Sequence, residues 1–207
     1  MEYKLFDGDV APVSTFEFHQ DRERAPHLEQ SVHQGRLRMA ADFVFAACDE
    51  VRKRVENPAQ IVKVVDLGCG DGGLLTVLNQ DEKIAAVGYD FQPSNIVGWA
   101  ERGVLHQTFA MDFVNNWPVV IDADVYVITE CLEHLTDPHA MVCNVRAREA
   151  IIVASSPWTE SAVSHDECHA WAWDPTGYRD LLDEAGFNVV AHERVGMFQV
   201  IRGEPRA

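Results

Sequence analysis

The residues with the most specific chemistry in this sequence are an aspartate and a group of closely spaced glycines. Three valines, at positions 62, 64 and 65, lead into Asp66, and glycines follow at positions 68, 70, 72 and 73. This order predicts a buried strand, a tight turn and the start of a helix, in which the backbone can closely approach a nucleotide-like ligand. A carboxylate at the end of that strand would attract an ammonium group and repel a pyrophosphate.

The glycines alone leave two kinds of ligand open. The spacing Gly68-x-Gly70-x-x-Gly73 fits the fingerprint of dinucleotide-binding proteins, so a nicotinamide-dependent oxidoreductase is one alternative. With Asp66 included, the stretch matches an acidic-x-Gly-x-Gly-x-Gly pattern in full. It thereby resembles motif I of the class I S-adenosylmethionine (SAM)-dependent methyltransferases. The resemblance covers roughly residues 37–202 and implies SAM as the cofactor.

The fold implied by this resemblance is an α/β, Rossmann-like, doubly wound sheet of seven strands whose last strand is antiparallel. The alternation of strand-like and helix-like segments predicts the same doubly wound sheet. We expect a single SAM-dependent methyltransferase domain over residues 1–207. Within it, residues 1–57 would provide an N-terminal segment and helix that cover the pocket, and residues 58–207 would form the core.

The element boundaries follow from hydrophobic periodicity and from turn residues. An N-terminal helix is predicted at residues 28–55, after an irregular stretch at residues 1–27. Strands are predicted at residues 62–65, 84–89, 103–107, 123–128 and 150–154, and at two final segments joined at Gly196. The segment between residues 155 and 173 is expected to be an irregular loop.

Further cofactor contacts are expected beyond the glycine turn. Asp90 ends the predicted second strand, where a carboxylate can accept both hydroxyl protons of a ribose. Phe91 is placed to pack on an adenine face, and the resemblance puts Asp112 beside the adenine amino group. The predicted cofactor-binding residues are Asp66, Leu67, Gly68, Cys69, Gly70, Asp90, Phe91, Met111, Asp112, Phe113, Thr129 and Glu130.

Candidate catalytic residues follow the predicted fourth and fifth strands. Methyl transfer from a sulfonium is an in-line displacement, so the protein must position the acceptor and remove its proton. Glu133, His134 and His169 are the candidates for this proton transfer. The carboxyl ends of the two strands should be neighbours, so we expect both histidines to face the methyl end of the SAM pocket. The alternative is a structural His134 that is hydrogen-bonded within its own loop.

The same residues suggest a metal site. Glu130-x-x-Glu133-His134, followed by His169 ahead of tryptophans, resembles two metal-dependent groups. These are the ubiquinone-pathway O-methyltransferases and the small-RNA 3′-terminal 2′-O-methyltransferases. The resemblance implies that these four side chains hold a divalent ion, which would bind vicinal hydroxyls and lower the pKa of one of them. His165 competes with His169 for the fourth position.

Four polar residues lie near the start of the N-terminal helix: His27, Glu29, His33 and Arg36. In many small-molecule methyltransferases the corresponding segment folds over the SAM pocket and contacts the substrate. The other interpretation is that each of them is an ordinary surface residue. For each of the four taken singly, the surface interpretation is the favoured one.

The bulk composition favours a small-molecule acceptor over nucleic acid. The chain has 207 residues, which suits one domain, and 33 acidic against 17 basic residues give a net charge of −16. Such a charge opposes broad contact with a phosphate backbone. No apolar run approaches the roughly 20 residues needed to cross a membrane, and the N-terminus lacks signal-peptide features, so a cytoplasmic location is expected. The five cysteines contain no C-x-x-C pair, which predicts reduced thiols.

We therefore expect an enzyme that transfers the methyl group of SAM to an oxygen or nitrogen of a small molecule. One alternative is a metal-dependent 2′-O-methyltransferase acting on an RNA 3′ end, and a second is the nicotinamide-dependent oxidoreductase. A third is a regulatory module that binds SAM without turnover.

Overall fold

The computed structural model describes residues 1–9, 11 and 16–207. Short 3-10 turns at Leu105–Gln107, Trp117–Val119 and Leu132–His134 connect some of the elements. The strands and α-helices follow in this order: β1 (Glu2–Lys4), α1 (Phe16–Gln20), α2 (Ser31–Arg54), β2 (Val62–Leu67), α3 (Gly73–Leu78), β3 (Ile84–Asp90), α4 (Asn95–Glu101), β4 (Thr108–Ala110), β5 (Val125–Thr129), α5 (Pro138–Arg146), β6 (Ile151–Pro157), β7 (Trp171–Trp173), α6 (Pro175–Glu184), β8 (Phe187–Val195) and β9 (Phe198–Pro205).

The main sheet contains seven of these strands in the order β4-β3-β2-β5-β6-β9-β8. The strands from β2 to β6 are parallel, whereas β9 enters between β6 and β8 and is antiparallel to both. Gly196, with a φ of 59°, forms the turn between β8 and β9. The predicted doubly wound sheet with an antiparallel last strand is therefore confirmed.

Two hydrophobic clusters cover the two faces of the sheet. Alternate residues of β2 divide between them: Val65 and Leu67 pack toward α5 and α6, and Val62 and Val64 pack toward α2 and α3. Such a strand is buried on both faces, which explains its nearly continuous apolar run. Each fully buried valine or leucine contributes about 1.5–3 kcal/mol to folding.

The topology creates a crevice between β2 and β5. From β2 the chain winds outward through β3 to β4, and then crosses back to place β5 on the other side of β2. Ligands of open α/β sheets bind at such a switch point, outside the carboxyl ends of the strands. The loops after the two strands are in close contact, because a Cβ atom on Gly68 would lie 2.8 Å from the Cys131 Sγ. Gly68 also has a φ of 75°, which only glycine adopts without strain.

The predicted position of the third strand is wrong. It was expected at residues 103–107, but the strand that pairs with β3 is β4, Thr108–Ala110. Gly103 has a φ of 72° and ends the turn after α4, and Leu105–Gln107 continues as a 3-10 turn. Pairing begins at Thr108 opposite Gly88, so the apolar Val104 belongs to the connection before the strand.

Two segments expected to be irregular contain regular structure. The segment 1–27 includes β1 and the short α1, and the segment 155–173 includes the end of β6 and all of β7. Strands β1 and β7 form a separate antiparallel pair, with Glu2 opposite Trp173. The Trp173 indole nitrogen donates a hydrogen bond of 2.7 Å to the Glu2 carboxylate. Pairing between segments so distant in the chain has no local signal in the sequence.

The remaining expectations concern cysteines, the basic cluster and membrane spans. All five cysteines are free thiols. The basic cluster of residues 52–54 forms the last turn of α2, as expected for cations near a helix C-terminus. In the part of the chain that the structure describes, no helix is both long and apolar enough to cross a bilayer.

Candidate functional site

A cavity of about 780 Å³ opens at the carboxyl ends of β2, β3 and β5. Most of the residues predicted from the sequence line it: Asp66, Gly68, Cys69, Gly70, Asp90, Phe91, Asp112, Phe113, Thr129, Glu130, His134 and His169. Three predicted residues do not line it. Leu67 is fully buried in the core, Met111 packs against the same core cluster, and Glu133 is only 1% exposed. The volume is large enough for a cofactor together with a small acceptor.

Hydrogen bonds hold the glycine turn after β2 in place. The amide nitrogens of Gly68 and Cys69 both donate to the Tyr89 carbonyl, at 2.8 and 3.1 Å. The Trp99 indole nitrogen donates to the Gly70 carbonyl at 2.7 Å. The backbone of the turn is therefore fixed, and it faces the cavity without side chains that would block a close approach.

Asp90 connects this turn to the end of β3. Its Oδ2 accepts a hydrogen bond of 2.9 Å from the Gly70 amide, and its Oδ1 accepts one of 2.8 Å from the Gln92 amide. Burial raises the pKa of Asp90, and these backbone donors oppose the rise. The Asn95 side chain is a further hydrogen-bond partner of this carboxylate. A carboxylate has about four acceptor positions, so Asp90 can still accept a hydroxyl proton from a ligand.

Asp66, at the end of β2, is a buried acid without a complete set of partners. Its side chain is 1% exposed, and its Oδ1 has no hydrogen-bond partner. Burial and the nearby charge of Asp90 raise its pKa to about 7, although the charge of Arg36 lowers it. The site thus holds a carboxyl group that would gain stabilisation from a cationic ligand group.

This burial leads to a prediction about pH and stability. The pKa of Asp66 is about 7 in the folded chain against an ordinary value of 3.8, so the folded state retains the proton more strongly. The resulting stabilisation is present below about pH 4 and is lost as the pH rises through 7. We expect Asp66→Asn to be more stable than wild type at pH 8, by up to about 4 kcal/mol, and nearly equal to it at pH 4.

Thermal melting of the ligand-free protein at several pH values would measure this effect. Asp180→Asn is the control, because Asp180 is exposed on α6 and should change neither curve. A destabilised Asp66→Asn at pH 8 would contradict the assigned pKa.

The side of the cavity near β4 contains the predicted adenine contacts. The Asp112 Oδ1 accepts hydrogen bonds of 3.1 Å from the amides of Val114 and Asn115, so the side chain is locked into its own turn. Phe113, next to it, is buried. The Phe91 ring meets the His19 ring edge-on at 4.7 Å, which brings α1 over this part of the cavity.

At the other side, two imidazoles and a carboxylate lie together. The rings of His134 and His169 meet edge-on with centroids 4.8 Å apart. The His134 Nδ1 donates to the Cys168 carbonyl at 3.0 Å, and the His169 Nδ1 donates to the Glu160 carboxylate at 2.7 Å. These bonds leave both Nε2 atoms available. His165, by contrast, is exposed and its Nδ1 is bonded to a backbone carbonyl.

Glu133 completes this group, which we call the imidazole–carboxylate cluster (Glu133, His134 and His169). One potential ligand atom from each residue lies within 4.8 Å of the other two. The Glu133 carboxylate is buried, and neither of its oxygens has a hydrogen-bond partner. An unpaired buried carboxylate beside two imidazole nitrogens is an arrangement that suits a divalent cation.

The protonation of the cluster is strongly perturbed. Burial lowers the pKa of His134 to about 3, with a further contribution from the charge of His169. Burial also lowers the pKa of His169, but its hydrogen bond to the Glu160 carboxylate and the charge of Glu133 outweigh this effect and raise the pKa to about 8. Burial and the charge of Glu130 raise the pKa of Glu133 to about 8. The cluster therefore retains protons near neutral pH that a cation would displace.

Glu130 lies outside this cluster. Its backbone has a φ of 51°, and its Oε1 accepts a hydrogen bond of 2.8 Å from the Ser155 hydroxyl. Its nearest cation is Arg36, whose Nε lies 3.9 Å from the same oxygen. The four residues of the predicted metal site are therefore divided: three lie together, and Glu130 faces α2.

The start of α2 contributes to the cavity wall. Arg36 is 1% exposed and lines the cavity together with His27 and His33, whose rings stack at 4.0 Å. The interpretation of these three as ordinary surface residues is therefore wrong. It is right for Glu29, which is exposed and forms an ion pair of 2.7 Å with Arg102.

Several lining residues were not found from the sequence. They include Glu160, Asp166 and Cys168 from the segment between β6 and β7, and Phe198 from β9. Only their position in the fold reveals them, because no motif surrounds them. The histidine at position 169 was identified through its resemblance to a metal-binding pattern, whereas Glu160, its partner, had no such signal.

Solved structures with the same fold include methyltransferases and one enzyme of different chemistry. The O-methyltransferase NcsB1 from neocarzinostatin biosynthesis, in complex with SAM and a naphthoic acid, is 16% identical with a TM-score of 0.56, over 70% of this chain and 49% of its own. The chain thus spans about half the length of that protein. Magnesium protoporphyrin IX methyltransferase from Synechocystis PCC 6803, with S-adenosylhomocysteine (SAH) bound, is 14% identical with a TM-score of 0.62, over 84% and 85%. The [4+2]-cyclase SpnF is 14% identical with a TM-score of 0.61, over 91% and 86%.

These similarities establish the fold of class I SAM-dependent methyltransferases, and at such low identity they establish the fold alone. A comparison with curated proteins finds no match. A family model is more informative: residues 48–158 match the model described as "Methionine biosynthesis protein MetW". This match includes the glycine turn, Asp90 and the Glu130–His134 stretch. Because it spans more than half of the chain, the protein belongs to the MetW family.

Proposed function

We propose that the protein binds SAM in the cavity at the β2–β5 crevice and transfers its methyl group to an oxygen or nitrogen of a small molecule. The observation that carries this proposal is the glycine turn held between Asp66 and Asp90 at the switch point of the sheet. Its backbone is open to a ligand, and one carboxylate lies at either end of it. Such a site suits a ligand with a ribose at one end and an ammonium at the other.

Each part of the cavity has a role in this proposal. Asp90 accepts the ribose hydroxyls, and Asp66 attracts the ammonium of the methionine moiety. Phe91, Asp112 and Phe113 surround the adenine. Residues 1–57 cover the cofactor, and residues 58–207 form the core of the same domain. The lining of the cavity by His19, His27 and Arg36 supports this covering role.

Bound SAM supplies an electrophilic methyl group on a sulfonium, so the chain itself has to place the acceptor in line and remove its proton. The imidazole–carboxylate cluster is the candidate for that second task. His134 and His169 both line the cavity, and their Nε2 atoms are free to act. In a metal-free mechanism His169, oriented by Glu160, serves as the general base in its neutral form, which its raised pKa of about 8 makes available at alkaline pH.

The cluster also fits a divalent ion, which we propose as part of the active site. Glu133, His134 and His169 would hold it. The fit rests on the unpaired oxygens of Glu133 and on Nδ1 partners that fix both rings. Such an ion supplies Lewis-acid activation of a hydroxyl. The protein residues then position the acceptor beside the cofactor and exclude water.

A small-molecule acceptor agrees better with the charge of the protein than an RNA 3′ end does. The net charge is −16, and the cavity wall includes the acidic residues Glu23, Glu160 and Asp166. The phosphate backbone of RNA would be repelled by this wall. A small acceptor needs no such compensation.

Titration calorimetry against SAM and NAD tests the cofactor assignment. We expect one SAM per chain, with a Kd in the micromolar range or tighter, and no heat with NAD. NAD binding without SAM binding would favour the oxidoreductase. To test turnover, the protein is incubated with a metabolite extract and SAM carrying a deuterated methyl group, and mass spectrometry is used to find the labelled product. Tight SAM binding with no labelled product would favour a non-catalytic module or another chemistry, as in the cyclase.

A further inference from the structure

We propose that Arg36 and Asp66 together form a clamp for the amino-acid end of SAM, in which Arg36 binds the carboxylate and Asp66 binds the ammonium. This inference rests on the proposed SAM binding and adds a specificity-determining residue outside the glycine turn. It predicts that the protein distinguishes SAM from an analogue that lacks only the carboxylate.

The first observation is an arginine that is buried with part of its guanidinium unpaired. Arg36 is 1% exposed and lines the cavity, yet its Nε and Nη1 have no hydrogen-bond partner. Burial of a guanidinium with unmade hydrogen bonds is costly, so such an arrangement is expected where a ligand completes it. The planar fork of arginine binds a carboxylate through two parallel N–H donors.

The neighbours of Arg36 hold it in position but do not satisfy it. Its Nη2 lies 3.3 Å from the His27 Nδ1, and its guanidinium lies over the Phe198 ring at 5.3 Å. Its Nε is 3.9 Å from the Glu130 carboxylate, which is too far for a hydrogen bond, and that carboxylate already accepts one from Ser155. The side chain is therefore oriented before any ligand arrives.

The second observation is the matching acid on the opposite element. Asp66 lies at the end of β2 and lines the same cavity, and its Oδ1 has no partner. Among the described residues, Arg36 forms an ion pair with Glu130 and not with Asp66. A buried cation and a buried anion that face one cavity without pairing leave room between them for a group carrying both charges. An α-amino acid is such a group, because its ammonium and carboxylate are attached to one carbon atom.

The position along the sheet agrees with this assignment. Asp90 accepts a hydrogen bond from the Gly70 amide at the ribose end of the turn, and Asp66 lies at the other end, beside β5. An adenosine that reaches from Asp112 to Asp90 would thus point its methionine moiety toward Asp66 and α2. Arg36, on α2, provides a cation in this part of the cavity wall.

The test compares three ligands: SAM, decarboxylated SAM and methylthioadenosine, which lacks the whole amino-acid portion. Wild type should prefer SAM over decarboxylated SAM by about 10- to 100-fold, the range expected for a charge-assisted pair of hydrogen bonds. In Arg36→Met the affinity for SAM should fall by about the same factor, while that for the other two ligands changes by less than about threefold. Arg36→Lys keeps the positive charge but loses the two parallel N–H donors, so its affinity for SAM should lie between those of wild type and Arg36→Met.

The matched control is Arg38→Met, because Arg38 is exposed on the same helix and should leave all three affinities unchanged. Thermal melting accompanies each variant to confirm that it is folded. If Arg36→Met loses the same affinity for SAM and for decarboxylated SAM, Arg36 has a structural role. If its affinity for SAM is unchanged, Arg36 contacts the acceptor instead. Either result overturns the proposed clamp but leaves the proposed SAM binding intact. If folded wild type binds neither SAM nor methylthioadenosine, the proposed function fails and the clamp with it.

Discussion

Replacement of Asp90 by alanine should weaken SAM binding by at least about 100-fold. The carboxylate performs two tasks in the proposed complex. It accepts the Gly70 and Gln92 amides and so fixes the glycine turn, and it offers its remaining lone pairs to the ribose hydroxyls. Hydrogen bonds to a charged group are worth about 1.5–3 kcal/mol each, so the loss of two ribose contacts alone accounts for the expected factor.

Titration calorimetry of the variant with SAM and with SAH measures this effect. The control is Asp124→Ala, because Asp124 also accepts a backbone amide, that of Lys63, at 2.8 Å, but at the opposite end of β5. That variant should melt at a lower temperature than wild type and bind SAM with unchanged affinity. The folded stability of Asp90→Ala should change little, since removal of a buried carboxylate offsets the lost amide contacts. Unchanged SAM affinity in Asp90→Ala would exclude the ribose contact and with it the orientation of the cofactor.

The sequence could predict that the glycine turn and Asp90 lie together, because their signals are local. The aspartate and the glycines lie within eight consecutive residues, from Asp66 to Gly73, and their types are dictated by backbone conformations and close contacts that only glycine allows. Asp90 follows from the end of the next buried strand. The doubly wound sheet could be predicted from local signals as well, because strands and helices differ in the period of their hydrophobic residues.

The rest of the site depends on contacts between distant segments. Glu160 and His169 are brought beside His134 by the chain between β6 and β7, and β7 in turn pairs with β1 near the start of the chain. The sequence offered Arg36 as a pocket contact or as a surface residue, and it favoured neither a buried position nor a ligand, because an arginine on a helix is most often exposed. Its importance comes from burial against Phe198, a residue that β9 supplies from the far end of the chain. Periodicity and spacing within one segment do not predict contacts between residues that are far apart in the chain.

The fold alone does not decide the reaction. SpnF is a cyclase with the same architecture and a similar TM-score to the methyltransferase from Synechocystis. What separates the chemistries is the set of groups beside the methyl end of the cavity. In the proposed complex that set is the imidazole–carboxylate cluster, and a test of metal binding there would bear most directly on the mechanism.

Wild-type protein should bind one Zn²⁺ per chain, and both His134→Ala and His169→Ala should weaken that binding by at least about 100-fold. Removal of either imidazole leaves two protein ligands, too few to hold the ion against water. The Nδ1 hydrogen bonds to Cys168 and Glu160 already orient both rings, so the binding should cost little reorganisation. Zn²⁺ titration of metal-stripped protein, in competition with a chromophoric chelator, provides the affinities, and elemental analysis identifies the ion that accompanies the purified protein.

Two further variants test whether residues around the cluster contribute to the binding of the ion. Glu160→Gln removes the charge that orients the His169 ring without removing a ligand, and it should weaken Zn²⁺ binding by about 10- to 100-fold. His165→Gln is the control, because this exposed histidine lies four residues from His169 and takes no part in the cluster. It should leave the affinity unchanged. If wild type binds Zn²⁺ no more tightly than the His134 and His169 variants, or if His165→Gln loses as much affinity as they do, the cluster holds no metal. His169 would then act as a metal-free general base, with Glu160 as the group that orients it.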